Sequence, residues 1–138
     1  MTLFGGIKRA MRHGLGADAA VPPMLLRVLQ LCERQAGITQ QGLARLTGRD
    51  KGQVARMVKE LLALGLLQRE DHPDDRRSHC LRLTAAGRAA VRHFEQTEAA
   101  VARWLLEDMT IDEMKSLQRQ AVSLQQRIDD RLRQESDG

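Results

Sequence analysis

Residues 39–84 constrain this chain most, because the apolar rhythm changes twice within them and few folds accommodate both changes. They read TQQGLARLTG, then RDKGQVARMVKELLALG, then LLQREDHPDDRRSHCLRLT. In the middle segment Val54, Val58, Leu61 and Leu62 recur at helical spacing and form one apolar stripe. Asp50 is placed to cap the first turn, and Gln53 stands where a capping-box partner belongs. Gly65 is expected to end this helix in the left-handed conformation. The face opposite the stripe carries Gly52, Gln53, Arg56 and Lys59. A helix that buries one face and offers cations and an amide on the other has the make-up of a major-groove reader.

The segment before it fits the same plan. Thr39 is a plausible N-cap, Leu43, Ala44 and Leu46 supply apolar contacts, and the turn at Thr47 and Gly48 is short. Two helices joined by so short a turn containing Gly match a helix-turn-helix. After Gly65 the rhythm becomes alternating, with Leu67, Arg69 and Asp71 on one side and Leu66, Gln68 and Glu70 on the other. His72, Pro73, Asp74 and Asp75 are turn chemistry, since Pro presets its backbone angle and Asp bonds its own chain. The return strand puts Leu81 and Leu83 on one face and Cys80 and Arg82 on the other, so Cys80 is expected at the surface. Arg76 and Arg77 fall at the hairpin tip. The expectation is a mainly α chain with a small β-hairpin wing, a winged helix-turn-helix flanked by dimerisation helices.

Residues 39–87 resemble the winged helix-turn-helix of the MarR family of bacterial transcriptional regulators. The pieces that carry the resemblance are ITQQGLARLTG, the helix ending in VKELLALGLLQRE, and above all HPDDRRSHCLRLTAAG. That last run is similar to the family's wing: an acidic residue and Pro, Asp-Arg-Arg, a short strand, then Leu-Thr-x-x-Gly. Two departures stand out. His72 occupies a position where an acidic residue is common, and the segment before residue 21 is short for the family's long first helix. The resemblance covers most of the chain. It implies a homodimer with interleaved terminal segments that binds double-stranded DNA. It also implies a small-molecule effector, often an aromatic acid, lodged between the DNA-binding and dimer regions, although no residue here identifies one.

At 138 residues the chain has the size of one compact domain or one protomer of a small dimer. It holds no apolar run of membrane-spanning length, and Gly and charge break its first 16 residues as a signal-peptide core. Two cysteines make no disulfide framework, so a cytoplasmic setting without membrane partners is expected. Charge is unevenly spread. Residues 1–94 carry 16 Lys and Arg against 8 Asp and Glu, while residues 95–138 carry 6 against 10. A basic front suits a polyanion and an acidic end is repelled by one, although solvated helix faces would also account for the charges.

Leu3, Ile7, Ala10 and Met11 would line one face of a short first helix, weakened by Gly5, Gly6, Gly14 and Gly16. Pro22 and Pro23 suit the first turn of another, which is expected to reach about Ala36, with Leu25, Val28, Leu29 and Cys32 facing the core. A helix starting at Thr84 is expected to run to about Glu107 on a stripe of Val91, Phe94, Val101 and Leu105. The last helix has a capping box in Thr110 and Glu113 and a hydrophobic staple in Met109 and Met114. Met114, Leu117, Ala121, Leu124 and Ile128 then recur with three-four spacing, as in a short coiled coil. Residues 22–94 are expected to form the DNA-binding region, and residues 1–21 with 95–138 the helical dimerisation region.

Catalytic chemistry finds no foothold. There is no G-x-S-x-G, no Walker run, no H-E-x-x-H and no C-x-x-C, so neither an enzyme, a metal site nor a cofactor is expected. The expected base-reading residues are Gly52, Gln53 and Arg56. Thr39, Gln40, Gln41, Arg49, Lys51 and Lys59 are expected at phosphates, and Arg76 and Arg77 serve the wing or pair with Asp74 and Asp75 to shape it. The dimer stripe is Met114, Leu117, Ala121, Leu124 and Ile128, with a repressor on an inverted-repeat operator as the expected function. Two rivals are a winged helix that docks on protein, and a thiol-responsive regulator using Cys80. The peroxide-sensing pattern is absent, because that pattern pairs a first-helix Cys with tyrosines and this chain has no Tyr and no Cys before position 32.

Overall fold

Each change of apolar rhythm coincides with a change of element. The computed structural model describes residues 3–15 and 21–136, and so leaves outside it Gly16 and the side chain of Leu3. In chain order the elements are α1 (Leu3–Gly14), α2 (Pro23–Arg34), α3 (Gln40–Thr47), α4 (Lys51–Ala63), β1 (Leu67–Asp71), β2 (His79–Leu83), α5 (Ala85–Leu105) and α6 (Ile111–Ser136). The chain is mainly helical with one antiparallel hairpin, as expected. Contacts divide it into two compact units, residues 1–101 and residues 102–138.

In the first unit the helix ends are fixed by local chemistry. The Thr39 hydroxyl accepts the Gly42 N–H at 3.0 Å, and the Asp50 carboxylate accepts those of Gly52 and Gln53 at 3.1 and 3.3 Å. At the end of α4, Gly65 adopts φ +70°. Its N–H bonds the Leu62 carbonyl at 3.1 Å while the Leu66 N–H bonds that of Leu61 at 3.0 Å, which together close a Schellman motif. The α5 start is fastened to that same turn. The Thr84 hydroxyl donates to the Gly65 carbonyl at 2.6 Å and accepts the Gly87 N–H at 3.0 Å. Gly87 must lack a side chain, since a Cβ there would sit 2.1 Å from the Leu66 carbonyl oxygen.

The core of this unit is one apolar cluster. Leu29, Leu43, Val54, Val58, Leu61, Leu81 and Val91 are all fully buried in it. Met11 joins from α1 at 8% exposure, with Ile7 packed alongside. Burying a Val or Leu side chain contributes roughly 1.5–3 kcal/mol, so these residues hold α2, α3, α4, the hairpin and α5 together. A polar cluster adds specificity between α2 and α5. Gln30, 1% exposed, accepts from Arg27 and donates to Glu95 at 3.0 Å, while Arg27 also pairs with Glu98 and lies 5.1 Å from the Phe94 ring centre.

Three local expectations need correction. Helix α2 ends at Arg34 rather than near Ala36, because Gln35 leaves helical geometry at φ −111°, ψ 76°. Leu46 is 49% exposed, not an apolar contact of the core. At 3.6 residues per turn it falls about 110° from the direction shared by the buried Leu43 and Ala44. Cys80 is 4% exposed, not at the surface with Arg82. The chain before α3 lies along the outer edge of β2, where the Leu81 N–H bonds the Ile38 carbonyl at 2.8 Å and Thr39 bridges to Cys80. Helices α2 and α3 both pack on β2, and a strand covered in this way does not follow the alternation of a hairpin with one open face.

The second unit is dominated by α6. Its capping box forms as written, with the Thr110 N–H on the Glu113 carboxylate at 3.3 Å and the Glu113 N–H on the Thr110 hydroxyl at 3.2 Å. Its apolar stripe lies open: Leu117, Leu124 and Ile128 are each about half exposed, and Val122 and Leu132 are as well.

Candidate nucleic-acid interface

The interface is built around α4. Its stripe of Val54, Val58 and Leu61 is buried, which turns Lys51, Gly52, Gln53, Arg56 and Lys59 to solvent, together with one acid, Glu60. The Asp50 cap sits at the leading end of this face. A Cβ on Gly52 would stand 3.0 Å from the capping Asp50 Oδ2, so a side chain there would press on the cap. Arg56 lies on the following turn, where a guanidinium can reach into a groove and meet a guanine edge with two parallel hydrogen bonds.

Helix α3 packs behind α4 and exposes Gln41, while Gln40 is half-buried. The Thr39 hydroxyl is occupied as an acceptor by its capping bond, which leaves its donor capacity for an outside oxygen. Arg49, in the turn between the helices, is exposed and touches the Met24 sulfur at 3.3 Å.

The hairpin forms with Leu67 opposite Leu83, Arg69 opposite Leu81 and Asp71 opposite His79. Its tip is shaped by Asp75, whose carboxylate accepts the Arg77 N–H at 2.9 Å and the Ser78 hydroxyl at 3.1 Å. The Arg77 amide, then the Ser78 hydroxyl, and more weakly nearby His72, hold the Asp75 carboxyl below its usual range. His72 takes part directly, its Nδ1 accepting the Asp74 N–H at 3.1 Å. The side chains of Arg76 and Arg77 make no ion pair with Asp74, Asp75 or any other carboxylate among the described residues. Asp75 shapes the tip through the backbone of Arg77 and leaves the guanidinium groups to solvent. On the strands Arg82 pairs with Glu70, and the His79 Nδ1 lies 3.5 Å from the Asp71 carboxylate.

Two basic residues escaped the sequence reading. Arg69 on β1 lies with Gln40, Gln41 and Arg77 around a cleft of about 360 Å³ between the wing and the start of α3. Arg45 on α3 lies with Arg49 and Lys51 around a second, of about 470 Å³. Arg45 is visible in sequence as an outward cation on a short helix. Arg69 is not, because only the packing of hairpin against α3 brings it to Gln40.

Neither cysteine is poised for reaction. Burial pushes the Cys32 thiol up to about 12, and Cys80 is buried beside the chain that enters α3. Among the described residues, no three His, Cys, Asp or Glu side chains gather as a metal site, and no helix is long and apolar enough to cross a membrane.

Comparison with known proteins places this geometry. The MarR family model matches residues 21–78, from just before α2 to the far side of the wing tip. A protein of Thauera aromatica named as a transcriptional regulator for the hcr operon is 34% identical over 88 residues, 64% of this chain. That alignment spans 53% of the relative, so the chain accounts for about half its length. A crystal structure of MarR superposes with a TM-score of 0.74 at 27% identity, covering 91% of this chain and 94% of that one. A transcriptional regulator from Pseudomonas aeruginosa gives 0.73 at 25% identity, over 88% and 90% of the two chains. An E. coli MarR mutant complexed with operator DNA gives 0.75 at 23% identity, over 88% and 86%. The family match spans α2, both helices of the helix-turn-helix and the wing tip, and the fold of MarR is shared over most of the length of the chain.

Proposed function

We propose that this chain is a sequence-specific double-stranded DNA-binding regulator that acts as a homodimeric repressor on an inverted-repeat operator. One observation carries the reading: the solvent face of α4 carries Lys51, Gly52, Gln53, Arg56 and Lys59 against a single acid, Glu60, and Arg76 and Arg77 on the neighbouring wing tip pair with no carboxylate among the described residues. In this reading Gly52, Gln53 and Arg56 face base edges. Thr39, Gln40, Gln41, Arg49, Lys51 and Lys59 hold the phosphate backbone, and Arg76 and Arg77 carry the wing to the adjacent groove. The structurally similar E. coli protein, bound to operator DNA, supports the assignment.

Dimerisation rests on residues 1–21 and 95–138, with Met114, Leu117, Ala121, Leu124 and Ile128 as the contact stripe. Small winged-helix DNA readers place two recognition helices about 10 bp apart by two-fold symmetry, and an open apolar stripe on α6 is what such a partner would cover. A small-molecule effector that releases the dimer from DNA, and a cytoplasmic location, complete the proposal. A winged helix that docks on protein would carry an apolar or acidic outward face on α4, and this face is neither. A thiol switch at Cys80 is disfavoured by its 4% exposure.

The test is retention on immobilised duplex DNA and its loss with salt. The protein should elute at a salt concentration that falls when Arg56 and Lys59 are both replaced by Ala. Flow-through of the native protein at low salt would overturn the reading.

A further inference from the structure

Two clefts flank the start of α3, and Gln41 lines both. On the wing side the basic lining is Arg69 and Arg77, with the His79 imidazole beside them. On the other side it is Arg45, Arg49 and Lys51. No carboxylate lines either cleft. Two carboxylates border the wing side, Asp71 at 3.5 Å from His79 and Asp75 on the Arg77 amide and the Ser78 hydroxyl, and neither pairs with the guanidinium of Arg69 or Arg77. On the other side Arg49 meets only the Met24 sulfur. Each cleft thus gathers cations from separate segments, β1 and the wing tip in one, and α3, the following turn and the α4 start in the other, with the amides of Gln40 and Gln41 as the contribution of α3 to the first.

Cations converging from separate elements cost repulsion unless an anion sits between them. The spacing across one helix, about 10 Å, is comparable with a short step along a nucleic-acid backbone. We infer that the two clefts seat nearby phosphates of one DNA strand, which crosses α3 over Gln41, and that Arg69 and Arg45 are the positioning residues of the two seats. The inference rests on the DNA-binding reading and extends it. Arg56 reads a base, while Arg69 and Arg45 fix where along the groove α4 is set down. Their contribution is the same for every sequence, because a phosphate carries no base identity.

The test uses a short duplex recovered with the native protein from a random-sequence pool, and an unselected duplex of equal length. Arg69→Ala and Arg45→Ala should each flatten the log-affinity against log-salt slope by about one unit per site, on both duplexes alike. Arg69→Lys and Arg45→Lys should restore the slope, and thermal midpoints should stay at the native value. Neutral methylphosphonates walked along one strand should each weaken native binding at two positions. One position should go silent in Arg69→Ala and the other in Arg45→Ala. Slopes equal to native in both Ala variants, silent positions on opposite strands, or protection of the wing cleft by inorganic phosphate with an unchanged slope would each overturn the inference. Those outcomes leave the broader reading intact as long as Arg56→Ala still lowers selectivity. Failure of the native protein to bind either duplex would instead remove the DNA-binding reading itself.

Discussion

The apolar stripes of α2 and α6 are written in the same three-four spacing and meet opposite fates. Leu29 on α2 is fully buried, while Leu124 on α6 is 58% exposed. Both helices have well-defined starts, Pro23 at the first turn of one and the Thr110–Glu113 box at the other. The difference therefore lies in what surrounds each stripe and not in the helices themselves. An α2 stripe is covered by its own chain. An α6 stripe of this length stays wet unless another surface covers it, and leaving four large apolar side chains wet forgoes roughly 1.5–3 kcal/mol each. The contrast teaches that helical periodicity specifies a buried face without saying whose atoms bury it.

The largest effect expected from this contrast is on α6. Leu117→Glu with Leu124→Glu places charges on the stripe of both protomers of the proposed dimer and should leave the protein monomeric. Operator affinity should fall by about 100-fold or more, since one recognition helix then binds without its partner. Sedimentation equilibrium reads the first outcome and titration of labelled duplex the second. The first unit should keep its native melting transition, and its collapse would show that α6 supports that fold directly.

Leu29→Ala comes next and sharpens the comparison from the other side. It should cost about 2–5 kcal/mol in denaturant unfolding, by lost transfer energy and a residual cavity. The change in stability should not depend on protein concentration, whereas that of the α6 variant should. A smaller effect separates recognition from assembly. Arg56→Ala should lower specific binding by about 1–3 kcal/mol and relax preference at one base pair, while Lys59→Ala weakens all sequences equally. Neither should change the sedimentation of the free protein.

The smallest expected effect is at the wing tip. The Asp75 carboxyl is held below its usual range chiefly by the Arg77 amide, so ionised Asp75 favours the folded turn. That contribution is present above the ordinary Asp range near about 4 and is lost as pH falls through the lowered folded value. The Arg77 amide resonance should shift over that acid interval, and Asp75→Asn should remove the shift. Because the carboxyl is fully exposed, global stability should barely change.

Features decided within a few residues were legible in sequence. The caps at Thr39, Asp50 and Thr110, the stop at Gly65 and the outward set Gly52, Gln53, Arg56 and Lys59 all depend on local spacing and hydrogen-bonding chemistry. What depended on distant chain was not. Cys80 is buried where α2 and α3 pack on its strand and residues 38 and 39 run beside it, which alternation within the hairpin does not encode. Gln30 finds Glu95 across 65 positions, and Arg69 meets Gln40 only after the hairpin has folded onto α3. Leu46 was misplaced for a geometric reason, since on an eight-residue helix two inward residues already define the whole buried arc.

Selection of duplexes from a random-sequence pool by the native protein, followed by sequencing, tests the central claim most directly. The account predicts enrichment of an inverted repeat whose half-sites are about 10 bp apart, centre to centre, because two α4 helices related by a two-fold axis meet successive major grooves. Enrichment of a lone half-site, or no enrichment over the starting pool, would contradict it.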